Sequence, residues 1–145
     1  MPVVSKGEMP EMHNRREGDM DEEELNQCLR DIESWLVQKC GEDGKAYSNT
    51  PGATSDDIAV AVAAVGGVLP YGVGALLTAH NGGMPVFDYT GLSCADVAKV
   101  LSSTSGNPKW VSGMVPFAQN VDGDLFVVVR AGVARWNPES GPISI

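Results

Sequence analysis

Among the side chains that acid, base or metal chemistry uses, His80, Asp88, Asp122 and Asp124 are the set that could be combined into a site. Imidazole titrates near neutrality and a neighbouring carboxylate can orient it. A His80–Asp88 pair, with Asp122 and Asp124 as further acids or ligands, would therefore suit a small hydrolase or a metal-dependent enzyme. The spacing gives that reading little help. Asn120-Val121-Asp122-Gly123-Asp124 alternates oxygen ligands as an EF-hand loop does at its start, but position six is Leu125 instead of Gly and position twelve is Ala131 instead of Glu. A tight polar turn accounts for the same residues. His80 stands beside Asn81 at the end of a helical pattern, where a histidine interacts with the helix dipole. His13 lies in a polar N-terminal stretch, so spacing supports neither a metal set nor a Ser-His-Asp or Cys-His set. The loop Ser102–Lys109 is rich in serine, yet no histidine lies near it in sequence to activate a nucleophile. Cys28, Cys40 and Cys94 show no CxxC spacing and cannot all pair with one another, which predicts a reduced cytoplasmic protein. The expectation is no catalytic residue, no metal and no cofactor.

The elements that must position these residues are organised around Ser55–Gly83. From Ile58 to Ala79 the run is uncharged, longer than the roughly 18 apolar residues that would span a bilayer. Its composition argues instead for two short buried helices: Ala, Gly and Val dominate, Gly66-Gly67 and Pro70 interrupt it, and no Lys or Arg anchors it. Ser55 caps the first, with Ile58, Ala61, Val62 and Val65 at helical spacing. Pro70 opens the second, Val73, Leu76 and Leu77 form its stripe, and Asn81-Gly82-Gly83 closes it. So many small residues suit close packing against another surface, expected to be a sheet.

Before this pair, Asp21 and Glu24 form a capping box for an amphipathic helix ending near Lys39, its stripe Leu25, Cys28, Leu29, Ile32, Trp35 and Leu36. Trp35 is expected in the core, and residues 41–54 read as a linker. After it, Met84–Tyr89 suits a strand, and Ser93–Leu101 a helix capped by Ser93 with Asp96 in the box position. Trp110–Phe117 and Leu125–Arg130 read as strands joined by a hairpin at Asp122-Gly123. Val133–Trp136 forms a third before Asn137–Pro142 turns the chain out. An α+β domain follows, with an antiparallel sheet and helices packed on one face. Residues 1–20 are expected to be a disordered polar tail, 21–50 a helix and linker, and 51–145 the domain.

The chain has 145 residues, 43% of them hydrophobic, and a formal net charge of −9. That suffices for one core. The acidic balance argues against nucleic acid and anionic membranes, and favours solvation or a basic protein partner. The N-terminus lacks the apolar stretch of a signal peptide.

Leu69-Pro70, Asn81-Gly82-Gly83, Trp110, Val115-Pro116-Phe117-Ala118 and Gly123-Asp124, in this order over roughly residues 54–139, resemble the SUKH superfamily of yeast cell-wall assembly regulators and bacterial toxin-immunity proteins. The resemblance implies an α+β domain that acts by binding other proteins. Family members include immunity proteins against nuclease or deaminase toxins and eukaryotic regulatory or scaffold subunits; enzymatic activity is not implied. The family's aspartate near Val128-Val129 is absent here, and its usual final helix is not expected before Ile145. Strand alternation then places the recognition surface on the sheet face away from the helices. Tyr89, Trp110 and Trp136 are the expected exposed anchors, and Asp122 and Asp124 the acidic rim. For both tryptophans, and for Trp110 above all, a place in the core is the competing expectation.

Overall fold

The structure, a computed structural model, describes residues 21–130 and 132–144; the expected tail at residues 1–20 lies outside the described residues. Helix α1 (Glu22–Lys39) begins as its sequence predicts. The Asp21 carboxylate accepts the Glu24 N–H at 2.8 Å, and Glu24 reaches back to the Asp21 N–H at 3.2 Å. Leu36 is buried, but Trp35 is 56% exposed, which corrects its expected place in the core. Adjacent helical residues lie about 100° apart, so the stripe that seats Leu36 turns Trp35 outward.

Residues 41–49, expected as linker, form helix α2 (Gly41–Asn49). Tertiary packing overrides a weak helical composition here. Tyr47 is buried to 3% exposure. Gly44 presses so closely on α1 that a Cβ would stand 2.0 Å from the Leu36 carbonyl oxygen. An αα-hairpin results, joined to the rest by Pro51–Thr54, where Ala53 donates to the Leu77 carbonyl and Asn81 to that of Pro51.

The uncharged run folds as the two predicted helices, α3 (Ser55–Val65) and α4 (Tyr71–Ala79), with Gly66 and Gly67 between them at φ 94° and 122°. The cap of α3 is Thr54, boxed with Asp57, one residue earlier than expected. No helix among the described residues is long and apolar enough to cross a membrane. Helix α5 (Cys94–Thr104) carries the predicted Ser93–Asp96 box.

Six strands form one antiparallel meander: β1 (Pro85–Val86), β2 (Tyr89–Gly91), β3 (Val115–Gln119), β4 (Leu125–Val129), β5 (Gly132–Asn137) and β6 (Gly141–Ser144). The class is α+β, as predicted. Three details differ. Met84–Tyr89 is no single strand, because the chain reverses at Phe87-Asp88 and Val86 pairs with Tyr89. The strand expected from Trp110 begins only at Val115, and Trp110 instead follows a turn, donating its N–H to the Asn107 carbonyl. The segment expected to turn the chain out instead leads into β6, which pairs with β5.

Alternation along β4 and β5 directs Leu125, Val127, Ala134 and Trp136 onto Val97, Val100 and Leu101 of α5. A second cluster gathers Ala61, Val73, Leu77 and Cys94, with Phe117 and Val128 of the sheet packed against it. The intervening β4 side chain, Val128, thus feeds a different cluster from its neighbours. Proline 116 sits beside a register shift in β3, where a missing N–H is tolerated.

Two glycine substitutions separate close packing from open surface. Gly44→Ala should lower stability by about 1–3 kcal/mol, since backbone must shift to admit the methyl group. Gly74→Ala, whose Cβ would meet nothing within 4 Å, should raise it by about 0.5–1 kcal/mol. Denaturant midpoints of the two variants should move in opposite directions, and a Gly44→Ala midpoint at or above that of the wild type would refute the packing at Gly44.

Candidate functional site

The histidine is not paired with Asp88. At the end of α4, His80 Nε2 lies 2.7 Å from Glu33 Oε1 of α1, and Nδ1 lies 2.6 Å from the Thr50 carbonyl oxygen. Both ring nitrogens face acceptors, an arrangement that an imidazolium satisfies by donating twice. The Ser48 hydroxyl donates to Glu33 Oε2 at 3.0 Å, and the Tyr47 ring lies 4.4 Å from the imidazole, tilted at 49°. The hydrogen bond from His80 holds the Glu33 carboxyl below its usual range, against the opposing effect of its burial and with Ser48 adding to the lowering. Burial pushes the Tyr47 hydroxyl up to about 12, and the Glu33 charge adds to it. This group ties α1, α2 and the linker to α4. The adjoining apolar cavity, bounded by Tyr47, Leu77, Met84 and Phe117, holds only about 50 Å³, far below the ~300 Å³ at which ordinary ligand pockets begin.

The carboxylates of the acid–base reading lie elsewhere. In a six-stranded meander the β1–β2, β3–β4 and β5–β6 turns emerge at one end of the sheet. That end carries Asp88, Asp122, Asp124 and Glu139. Asn120-Val121-Asp122-Gly123-Asp124 is the tight polar turn expected: the Asn120 side-chain oxygen accepts the N–H groups of Asp122 and Asp124 at 3.0 and 2.9 Å, and Gly123 takes φ 86°. Among the described residues no three His, Cys, Asp or Glu side chains gather as a metal would need.

The expected anchors need correction. Tyr89 is only 7% exposed, because its ring stacks on Phe126 at 4.1 Å. Burial first, then Asp124, raises its hydroxyl above the usual range, while Arg135 opposes; Asp88 and Asp122 add to the rise. Trp136 is 1% exposed and donates its indole N–H to the Lys109 carbonyl at 3.0 Å. Trp110 packs its edge against Trp136 at 5.2 Å and is half-buried against the core. Neither Tyr89 nor Trp136 can act as an exposed anchor: Trp136 takes the competing place in the core, and Trp110 lies half-buried at its margin.

What stands out from the sheet end is Phe87, 94% exposed, and Val121, 100% exposed. Phe87 takes φ 56°, the left-handed region that bulky side chains avoid. Sequence reasoning missed both because Phe87 was placed within a strand and Val121 within a polar turn. The signal available was Phe-Asp between two short β-prone pairs, a two-residue hairpin without its usual glycine.

No protein-family model matches the sequence, and no curated protein matches it either.

The Tyr47–Glu33–His80 group has a pH signature. Glu33 has a lowered value in the fold, so its contribution is complete above the ordinary carboxylate range and is lost as pH falls through the lowered value. Tyr47 has a raised value, so its contribution is complete below 10 and is lost as pH climbs toward about 12. Glu33→Gln should cost about 0.5–1 kcal/mol near neutrality, given its partial exposure, and should flatten the acid limb of a stability–pH curve. Tyr47→Phe should flatten the alkaline limb. Unchanged limbs would refute the assignment.

Proposed function

We propose that this chain is a non-enzymatic protein–protein interaction module of the SUKH type, acting in the cytoplasm as a regulatory or scaffold subunit or as an immunity protein that binds a toxin. The observation that carries the reading is the pair Phe87 and Val121, almost wholly exposed at a sheet end ringed by Asp88, Asp122, Asp124 and Glu139. An aromatic in the left-handed region costs of order 1–3 kcal/mol. At 94% exposure the Phe87 ring recovers little of that cost from the fold. Large apolar side chains presented in this way act as anchors when a partner covers them, and the surrounding carboxylates favour a partner with a basic surface. The rival reading, a hydrolase or metal enzyme using His80, Asp88, Asp122 and Asp124, is disfavoured because His80 is engaged by Glu33 and Thr50 while the aspartates lie on the β-turns.

The test is affinity capture on the wild-type chain followed by kinetics with the purified partner. Phe87→Ser and Val121→Ser should raise the dissociation rate at least about tenfold, the cost of removing a central anchor, without lowering the melting temperature. Replacing Asp88, Asp122 and Asp124 by Asn should slow association and remove its salt dependence. A partner whose binding ignores all five substitutions would overturn the placement, and turnover of a substrate lost with His80→Ala would overturn the class.

A further inference from the structure

Helix α4 contains two glycines that no close approach of backbone requires, Gly72 in its first turn and Gly74 in its interior. A glycine inside a helix costs about 1 kcal/mol relative to alanine, and Gly44 shows what such a residue usually obtains, a close approach of backbone. At Gly74 nothing stands within 4 Å of a built Cβ. The expectation that this small-residue helix packs closely against a sheet holds only for its Val73–Leu77 side, which meets Phe117 and Val128.

The Gly74 side opens onto a groove of about 680 Å³. Helix α4 contributes Gly74, Ala75 and Thr78; α3 contributes Ile58 and Val62; and α1 contributes Glu22 and Asn26. Val68 and Tyr71, 79% and 59% exposed, stand where the α3–α4 connection enters α4. Nine residues of α4 run for about 14 Å, some two and a half helical turns. Among the described lining residues Glu22 is the charged one, and Asp21, Glu23 and Glu24 crowd the same helix start. An apolar trough with small residues admits a helix at close range, and a carboxylate edge selects the sign of its flanks.

From this we infer that the groove between α1, α3 and α4 is a second docking site, distinct from the sheet end, and that its occupant is an amphipathic helix of a partner protein with an apolar stripe and Lys or Arg on its flank. The charge makes the choice of occupant: an acidic helix or an anionic lipid surface would meet Glu22 and its neighbours unfavourably.

The test uses a synthetic helical peptide of about 15 residues with a leucine stripe flanked by lysines, and a counterpart with glutamates in their place. Titrated into the ¹⁵N-labelled chain, the lysine peptide should shift the amides of Gly67, Gly74 and Thr78 and bind at least about tenfold more tightly than the glutamate peptide. Gly74→Leu fills open space, so it should not lower the melting temperature and should abolish binding. Glu22→Lys, on the helix surface, should narrow or reverse the preference between peptides even if Gly74→Leu fails to fold. Phe87→Ser should bind as wild type does, which separates this site from the sheet end. Equal affinity for the two peptides, shifts centred away from α4, or unchanged binding by both groove variants would overturn the inference. So would a homodimer whose interface is this groove, or equal binding to anionic vesicles.

Discussion

Trp136 is the residue on which the architecture depends. Its indole lies between the sheet and α5 at 1% exposure, its N–H is donated to the Lys109 carbonyl, and the edge of Trp110 closes over it. Burying an indole without a partner for that N–H would forfeit part of the gain, so Lys109 is as necessary as the apolar contacts. That one bond also fixes the loop after α5 onto β5, and so sets where the chain can enter β3. Loss of such a side chain from a core costs about 3–5 kcal/mol, a large fraction of the stability of a domain this size.

A second constraint joins the N-terminal hairpin to the rest. Sequence composition separates residues 41–54 from both neighbours, yet the structure has no break there. Gly44 brings α2 against α1, and Gly52 approaches so closely that a Cβ would stand 2.0 Å from the Thr78 carbonyl oxygen. His80 then completes the attachment from the other side by meeting Glu33 and Thr50. The polar residues that look like linker chemistry are joint chemistry: glycines for contact between backbones, and a serine and a threonine whose oxygens lie in the His80–Glu33 network.

Much of the fold was legible because its signals are local. The capping boxes of α1 and α5, the cap of α3, the Gly66-Gly67 break and the Asp-Gly turn each depend on neighbours within a few residues, and all are present, with the α3 cap moved by one residue and boxed by Asp57. The β1–β2 turn was not legible, since Phe87 occupies a position where glycine or asparagine would have announced a reversal. The candidate site was legible only in part. Asp122 and Asp124 sit on an outward turn as spacing required, whereas the fate of Tyr89 and Trp136 depended on which distant ring each would meet, Phe126 from the sheet in one case and Trp110 from the loop before β3 in the other. Pairings between rings separated by tens of residues have no signature in the pattern of either segment.

The same contrast explains where function is to be sought. Residues whose local cost is returned by the fold, such as Gly44 under Leu36 or Trp136 under α5, are accounted for by stability alone. Phe87 and Gly74 are different. One places an aromatic in the left-handed region at nearly full exposure, the other places a glycine in a helix facing open space. Each is a local expense with no internal return, and consistency between local preference and global fold is what a sequence shaped by folding alone would show. The two lie at different places, the sheet end and the α1–α3–α4 groove, and both stand beside carboxylates on a chain of net charge −9. On the proposed reading each cost would be offset separately, by one basic surface covering the Phe87 ring beside Asp88 and by another filling the space above Gly74 beside Glu22.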